Sequence, residues 1–268
     1  MEIKVAVSGA CGNMGQEVCR TILDEEGMQL VAAIDLKNSG EDIGEILGGE
    51  KIGVHITSDL AVALQENTVD VLVDFTSPLS VFANIKTALK NRVRLVVGTT
   101  GLTEVELEQA SEWVKEYETA AIIAPNFTLG AVLMTEFAAK AARFFPDVEI
   151  IELHHDQKID APSGTALKTA ERISENHSCS KAGSKVQEVE KLTGARGGRK
   201  NGIRIHSVRL PGLVAHQEVI FGGIGQTLTI RHDSLSRKSF MPGVILAIRR
   251  VVELDNTLVY GLEKLLEL

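Results

Sequence analysis

Five short runs of apolar, largely β-branched residues recur between Ile3 and Pro125: IKVAV (Ile3–Val7), QLVAAID (Gln29–Asp35), VDVLVDF (Val69–Phe75), RLVVGT (Arg94–Thr99) and AAIIAP (Ala120–Pro125). A strand that is apolar at nearly every position has both faces buried, as in a parallel sheet covered by helices on each side. Between these runs, Met14–Asp24, Leu79–Lys90 and Thr103–Glu118 carry helical amphipathic patterns, and Thr103 with Glu106 forms a capping-box signature. Strand and helix in repetition predict a Rossmann-like, doubly wound parallel sheet with right-handed crossovers.

After Pro125 the pattern changes. TLGAVLMTEFAAKAARFF (Thr128–Phe145) reads as one long helix, followed by the strand DVEIIELHH and a helix opened by Ser163. Asn176–Gly202, rich in Ser, Gly, Lys and Arg, is expected to be a mobile loop. Three strand-like runs follow, IRIHSVRL (Ile203–Leu210), QEVIFGG (Gln217–Gly223) and QTLTIRHDS (Gln226–Ser234), with an antiparallel signature. FMPGVILAIRRVVEL then returns to helix and is expected to rejoin the first domain. The expected division is a dinucleotide-binding domain of residues 1–127 joined by 235–268, and an α+β domain of residues 128–234 with a mixed or antiparallel sheet. The switches of pattern, near residues 125–128 and 234–239, are the expected hinges of a closure over substrate.

The 268 residues carry a net charge of −8, which disfavours nucleic acid as a partner. No stretch approaches the roughly 18 apolar residues of a membrane span, and no secretion signal is readable. Cys11, Cys19 and Cys179 are scattered, which suits a reducing cytoplasm and argues against a disulfide framework or zinc site. These features predict a cytoplasmic protein acting on something small.

VAVSGACGNMGQEV places Gly9, Gly12 and Gly15 between the first strand and the first helix. The spacing is G-x-x-G-x-x-G rather than G-x-G-x-x-G, but the turn lets backbone N–H groups meet a pyrophosphate where the helix dipole favours negative charge. Asp35 ends the second strand twenty residues after Gly15, the place for a carboxylate that holds the adenosine ribose. Two further turns, GTTG (Gly98–Gly101) and APNF (Ala124–Phe127), follow later strands on the edge where such sheets hold ligands.

IELHHDQKIDAPSGTAL (Ile151–Leu167) is the densest chemistry in the chain. Successive strand residues point to opposite faces, so His154 and His155 can share a cleft only where the strand ends. Lys158 follows, and Ser163 is a good N-cap after Pro162, leaving the amides of Gly164, Thr165 and Ala166 at the start of a helix. A helix N-terminus, a lysine and histidines together suit a carboxylate pocket with a proton donor beside it. No second His/Asp/Glu cluster accompanies the histidines, so no metal is expected, and Ser163 lacks the G-x-S-x-G elbow of a nucleophile.

ELHHDQKIDAPSGTA resembles the signature of the dihydrodipicolinate reductase family, and GACGNMG, DFTSP, GTTG, APNF and IHSVRLPGLVAHQEVIFGG extend the resemblance over essentially the full chain. The resemblance implies reduction of a cyclic dicarboxylate imine by NADH or NADPH in the diaminopimelate route to lysine. By position, His154 is the implied general acid/base residue and Lys158 the implied proton donor. His155, Lys158 and the amides of Gly164 and Thr165 would hold the substrate carboxylates. The cofactor would contact Gly9, Ala10, Cys11, Gly12, Asn13 and Met14, with Asp35 on the ribose and Lys37 nearby. Gly98, Thr99, Thr100, Ala124, Pro125, Asn126 and Phe127 would lie near the nicotinamide. Some members place an arginine where Leu36 stands, so no strong preference for NADPH is implied. Many read Gly-Glu-His where this chain has Ala215–Gln217, and no role falls to His216. The family resemblance also implies a homotetramer built through the second domain's sheet. Two competing readings are a different two-domain dehydrogenase of amino or sugar acids, which would not need the anion-binding helix start, and a non-catalytic dinucleotide sensor, in which Lys158 would be idle.

Overall fold

The computed structural model describes residues 2–176 and 189–266. Cys179 and residues 177–188 of the expected loop lie outside them. The chain divides into two compact units, Met1–Phe127 with Phe240–Glu267, and Thr128–Ser239.

In chain order the elements begin with β1 (Ile3–Ser8), α1 (Asn13–Asp24), β2 (Met28–Ile34), α2 (Ile43–Ile46), β3 (Ile56–Thr57), α3 (Leu60–Glu66) and β4 (Val71–Asp74). There follow α4 (Val81–Lys90), β5 (Arg94–Val97), α5 (Glu104–Glu116), β6 (Ala121–Ile123), α6 (Leu129–Ala141), β7 (Asp147–His154) and α7 (Gly164–Asn176). The last are β8 (Gly198–Lys200), β9 (Ile203–Arg209), β10 (Ala215–Gly223), β11 (Gln226–Ser234), α8 (Met241–Val251) and β12 (Leu258–Tyr260).

The first unit holds a sheet of order β12-β6-β5-β4-β1-β2-β3 in which every neighbouring pair is parallel. The central strands are largely apolar because both faces are covered. Ala6, Leu72, Leu95 and Ala121 pack with α3, α4 and α5 on one side. On the other, α8 lies against α1, β4, β5 and β6, burying Val244, Ala247, Ile248 and Val251 at helical spacing. The capping box at Thr103 is present with both of its bonds, and α5 ends two residues before Glu118, which takes φ +52°. The short elements β3 and β12 carry too few residues for a periodic signal and are not apparent from pattern alone.

In the second unit the sheet order is β11-β10-β7-β9-β8. The antiparallel reading of the last three runs holds for the β10–β11 hairpin but not for the step before it. β7 lies between β9 and β10, parallel to β9 and antiparallel to β10, so Leu210–Val214 carries the chain across β7 instead of forming a hairpin. The stretch expected to be a loop contains β8, antiparallel to β9. The long helix after Thr128 ends at Ala141, four residues short of the expected Phe145. Helices α6 and α7 pack on each other and on one sheet face, around Met134, Ile150, Ala170, Ile173, Val219 and Phe221. No helix among the described residues is long and apolar enough to cross a membrane.

The turn between β1 and α1 depends on glycine at two points. Gly9 takes φ +82°, and a Cβ on Gly15 would fall 2.0 Å from the Gly9 carbonyl oxygen, so helix and turn meet backbone to backbone. Gly15→Ala is therefore expected to destabilise the first unit by about 2 kcal/mol or more, measured by denaturant unfolding; Gly164→Ala, whose Cβ would meet nothing within 4 Å, should differ from the parent by no more than about 0.5 kcal/mol.

Candidate active site

All the turns singled out in the first unit follow the C-terminal ends of parallel strands. Strand β1 sits between β4 and β2, so successive crossovers leave it in opposite directions and open a crevice at its end. A cavity of about 610 Å³ lies there, lined by Gly9, Gly12, Asp35, Leu36 and Lys37, by Ser58–Ala61, and by Phe75, Thr76, Ser77 and Asn84. That volume falls within the usual range for small-molecule sites. Gly12 caps α1 without a side-chain bond, and the first turn holds no acidic residue. Its leading amides, including those of Asn13 and Met14, are thus left for an anion. These features fit a dinucleotide pyrophosphate.

Asp35 sits where a ribose-binding carboxylate is expected, and its own backbone already uses it: Oδ2 accepts from the Cys11 N–H at 2.9 Å and Oδ1 from the Lys37 N–H at 2.9 Å. Each oxygen keeps a lone pair for a further donor. The side chain of Ala10 is fully buried, and its amide bonds to the Ile34 carbonyl, so it shapes the turn from within. Burial, and next the nearby Asp35 charge, push the Cys11 thiol up to about 11, which keeps it protonated at neutral pH.

The turns after β4 and β5 are held by Asp74, which is fully buried at the end of β4. Its Oδ1 accepts from the Thr76 amide at 3.0 Å, the Thr76 hydroxyl at 2.8 Å and the Thr99 hydroxyl at 2.7 Å, while Oδ2 accepts from Asn84 Nδ2 at 2.8 Å. Gly98 leaves room for the Phe75 ring, whose Cε1 would lie 2.1 Å from a Cβ there. Phe75 in turn packs on Phe127, with ring centroids 5.9 Å apart. Thr100 and Pro125 are exposed, whereas Ala124 and Phe127 are buried. Neither GTTG nor APNF contributes to the cavity wall; Phe75–Ser77, from the DFTSP stretch to which no role was given, and Ser58–Ala61, which pattern reading passed over, do.

In the second unit His154 is the last residue of β7 and is partly buried, while His155, one residue beyond the strand, is exposed. His154 Nδ1 lies 2.5 Å from Oε2 of Glu152, which has no solvent exposure. Two residues apart on a strand, both side chains share a face. Arg209, opposite His154 on the parallel neighbour β9, grips the same carboxylate with Nη2 to Oε1 at 2.8 Å and Nη1 to Oε2 at 3.0 Å. Burial alone would raise the Glu152 pKa, but hydrogen bonds from His154, Arg209 and Ser207 outweigh it and bring the carboxyl down to about 2. Arg209 Nη2 also donates to the Asp160 carbonyl at 2.7 Å, and the Asp160 carboxylate pairs with Lys158 Nζ at 2.6 Å. His154 and Lys158 are thus tied into one construction through Glu152, Arg209 and Asp160. Where α7 begins, Ser163 Oγ accepts from the Ala166 amide and the Ser163 carbonyl from the Leu167 amide. The amides of Gly164 and Thr165 remain for an anion, and Gly164 is exposed with open space where a Cβ would stand.

Glu152 and Arg209 were not among the expected site residues. The spacing E-L-H placed Glu152 on the face of His154 and was readable. Arg209 was not, since the pair is 57 residues apart and only the parallel β7–β9 register brings it in. His216 bonds Asp233 at 2.6 Å, opposite Leu153 on the sheet face away from Glu152.

Family models described as dihydrodipicolinate reductase, N-terminus and C-terminus, match residues 3–127 and 130–266. A 4-hydroxy-tetrahydrodipicolinate reductase of Desulfitobacterium hafniense is 57% identical over 267 residues, 99% of each chain. One from Listeria welshimeri is 54% identical over 265 residues, 99% of this chain and 100% of its own. Among solved structures, a dipicolinate-bound dihydrodipicolinate reductase from Paenisporosarcina sp. TG-14 superposes with a TM-score of 0.89 at 48% identity, covering 99% of this chain and 100% of that one. An amine dehydrogenase from Mycobacterium smegmatis, at 14% identity and a TM-score of 0.67, shares the fold alone.

The state of Glu152 sets an expectation for acid stability. A carboxyl lowered from 4.5 to about 2 on folding contributes stability that is complete above the unfolded value and lost as pH falls through the folded one. The loss between about pH 4.5 and pH 2 should be on the order of 3 kcal/mol for this group. Denaturant unfolding across that window should show a shallower decline for Glu152→Gln, which binds no proton there.

Proposed function

The chain belongs to the dihydrodipicolinate reductase family, and on that premise we propose the residues with which it performs the family's reaction, the NAD(P)H-dependent reduction of 4-hydroxy-tetrahydrodipicolinate to tetrahydrodipicolinate on the diaminopimelate route to lysine. The observation that carries the assignment is the construction at the end of β7: a histidine held by a buried carboxylate, a lysine tied to the same framework, and an open helix start, all within Glu152–Thr165.

When bound, the nicotinamide cofactor would supply the hydride, and in the net reaction the substrate's 4-hydroxyl group leaves as water. The chain's own groups supply the rest. Lys158 donates the proton that quenches the electron density left on the ring, and His154 acts as general acid/base. The substrate's carboxylates are held by His155, by Lys158 once it exchanges Asp160 for substrate, and by the Gly164 and Thr165 amides. A dicarboxylate in this role accords with the dipicolinate held by the relative from Paenisporosarcina. Gly9–Met14 cradle the pyrophosphate, Asp35 takes the ribose with Lys37 beside it, and the turns Gly98–Thr100 and Ala124–Phe127 serve the nicotinamide end.

A homotetramer built through the second unit's sheet is part of the proposal. Helices α6 and α7 cover one sheet face. The side chains of Ile151, Leu153, Val208 and Ile220 alternate with that covered face along β7, β9 and β10, and each keeps partial exposure. Light scattering of the purified protein tests this, a monomer being the adverse result. We assign the enzyme to the cytoplasm, in keeping with its scattered cysteines.

The assay mixes enzyme and reduced cofactor with the condensation product of pyruvate and aspartate semialdehyde and follows loss of cofactor absorbance. Turnover is expected with NADH and NADPH, since Asp35 repels a 2′-phosphate that Lys37 attracts; a preference for NADPH above about a hundredfold in kcat/KM, roughly 2.7 kcal/mol, would contradict that balance. Lys158→Met keeps the volume of the stem and removes the ammonium. It should lower kcat by about 10²-fold or more while NADH affinity holds, and His154→Ala should cost a similar factor. Near-normal kcat with only a raised KM in Lys158→Met would reduce the lysine to a carboxylate anchor.

A further inference from the structure

We propose that Glu152 and Arg209 are positioning residues that hold His154 in a single tautomer and a single orientation for proton exchange, an inference that rests on His154 being the acid/base group.

The argument begins with the hydrogen-bond inventory. An ionised carboxylate only accepts, so the nitrogen of His154 that meets Glu152 at 2.5 Å has to carry a proton. Nδ1 is therefore protonated in both the neutral ring and the imidazolium, and Nε2 alone gains and loses the exchangeable proton. Among the described residues, no hydrogen bond engages Nε2. A histidine free to sample both tautomers would spend part of its time with Nε2 already protonated while neutral, and in that form it can accept no proton there.

Arg209 keeps the negative charge on Glu152. A carboxyl with no solvent exposure would otherwise hold its own proton or take the one on Nδ1. The two-pronged guanidinium contact prevents this, and Ser207 adds a further bond to the carboxylate. The charged surroundings are few. Glu152 and His154 belong to β7, and Arg209 comes from β9. The segment after β7 brings Lys158 and Asp160, already paired with each other. Opposite Glu152 and His154, β10 presents the uncharged Gln217 and Ala215, and Gln217 bonds Thr169 of α7. Through the Asp160 carbonyl, Arg209 also fixes the loop that carries Lys158, so one cation orders both proton-handling groups.

The test compares Glu152→Gln with the parent and with His154→Gln, in kinetics and in nitrogen-15 NMR of labelled histidines on the full-length enzyme. The parent's neutral His154 should show a protonated Nδ1 and a bare Nε2, and Glu152→Gln a mixture. For Glu152→Gln, kcat should fall about 10- to 100-fold, the range for loss of a residue that orients a functional histidine, with the KM for the imine substrate changed less than about 3-fold. Should Glu152→Gln fail to fold, Glu152→Asp keeps the charge but retracts it by one methylene, and the same tautomer mixture and loss of kcat are expected. A single unchanged tautomer with kcat within twofold of the parent, in whichever variant folds, overturns the proposal. If His154→Gln itself retains normal kcat, the acid/base reading fails and this inference falls with it; if His154→Gln is impaired and the Glu152 variant is not, only the positioning role is lost.

Discussion

Asp74 and Glu152 impose the same constraint on two different sheets. Each is a carboxylate without solvent exposure at or near the C-terminal end of a strand, and a charge in that position is tolerated only if the chain brings donors to it. At Asp74 the donors are two threonines, an asparagine and a backbone amide, and meeting its demand ties the turn after β4 to the turn after β5. At Glu152 they are a histidine, an arginine and a serine, and the strand end is joined to the segment that follows it. Turns that would otherwise be free to vary are pinned at the edges where ligands are expected.

The first unit was largely legible because its signals are local. Strands buried on both faces have to be largely apolar, the helices between them have to be striped, and Thr103 with Glu106 announces where α5 starts. Gly9 and Gly15 were readable for a related reason: only residues without a side chain permit the Gly9 carbonyl to lie where a Cβ of Gly15 would stand. What escaped was short or depended on partners far away. β12 is three residues long and owes its place to pairing with β6.

The second unit shows where local reading ends. Runs of alternating residues announce strands but not their neighbours, and β7 slots between β9 and β10 although the chain meets β9 and β10 in succession. The His154–Lys158–Gly164 segment was readable because its residues are contiguous and their chemistry has no structural use in combination. Arg209 was invisible for the opposite reason. A basic residue near the end of an alternating strand has the pattern of a solvated side chain, and its true partner is fixed only by the parallel register with β7.

The ion pair between Lys158 and Asp160 also has a bearing on how tightly a ligand is held. Asp160 is mostly exposed, at 58% for its side chain, so it is free to return to water if, as proposed above, a substrate carboxylate takes its place beside the ammonium. Binding is then an exchange of one anion for another, and the measured affinity reports the difference between the two pairings rather than the strength of either. On that proposal, release of the product would be helped by an internal competitor that is covalently part of the same loop and always at high local concentration.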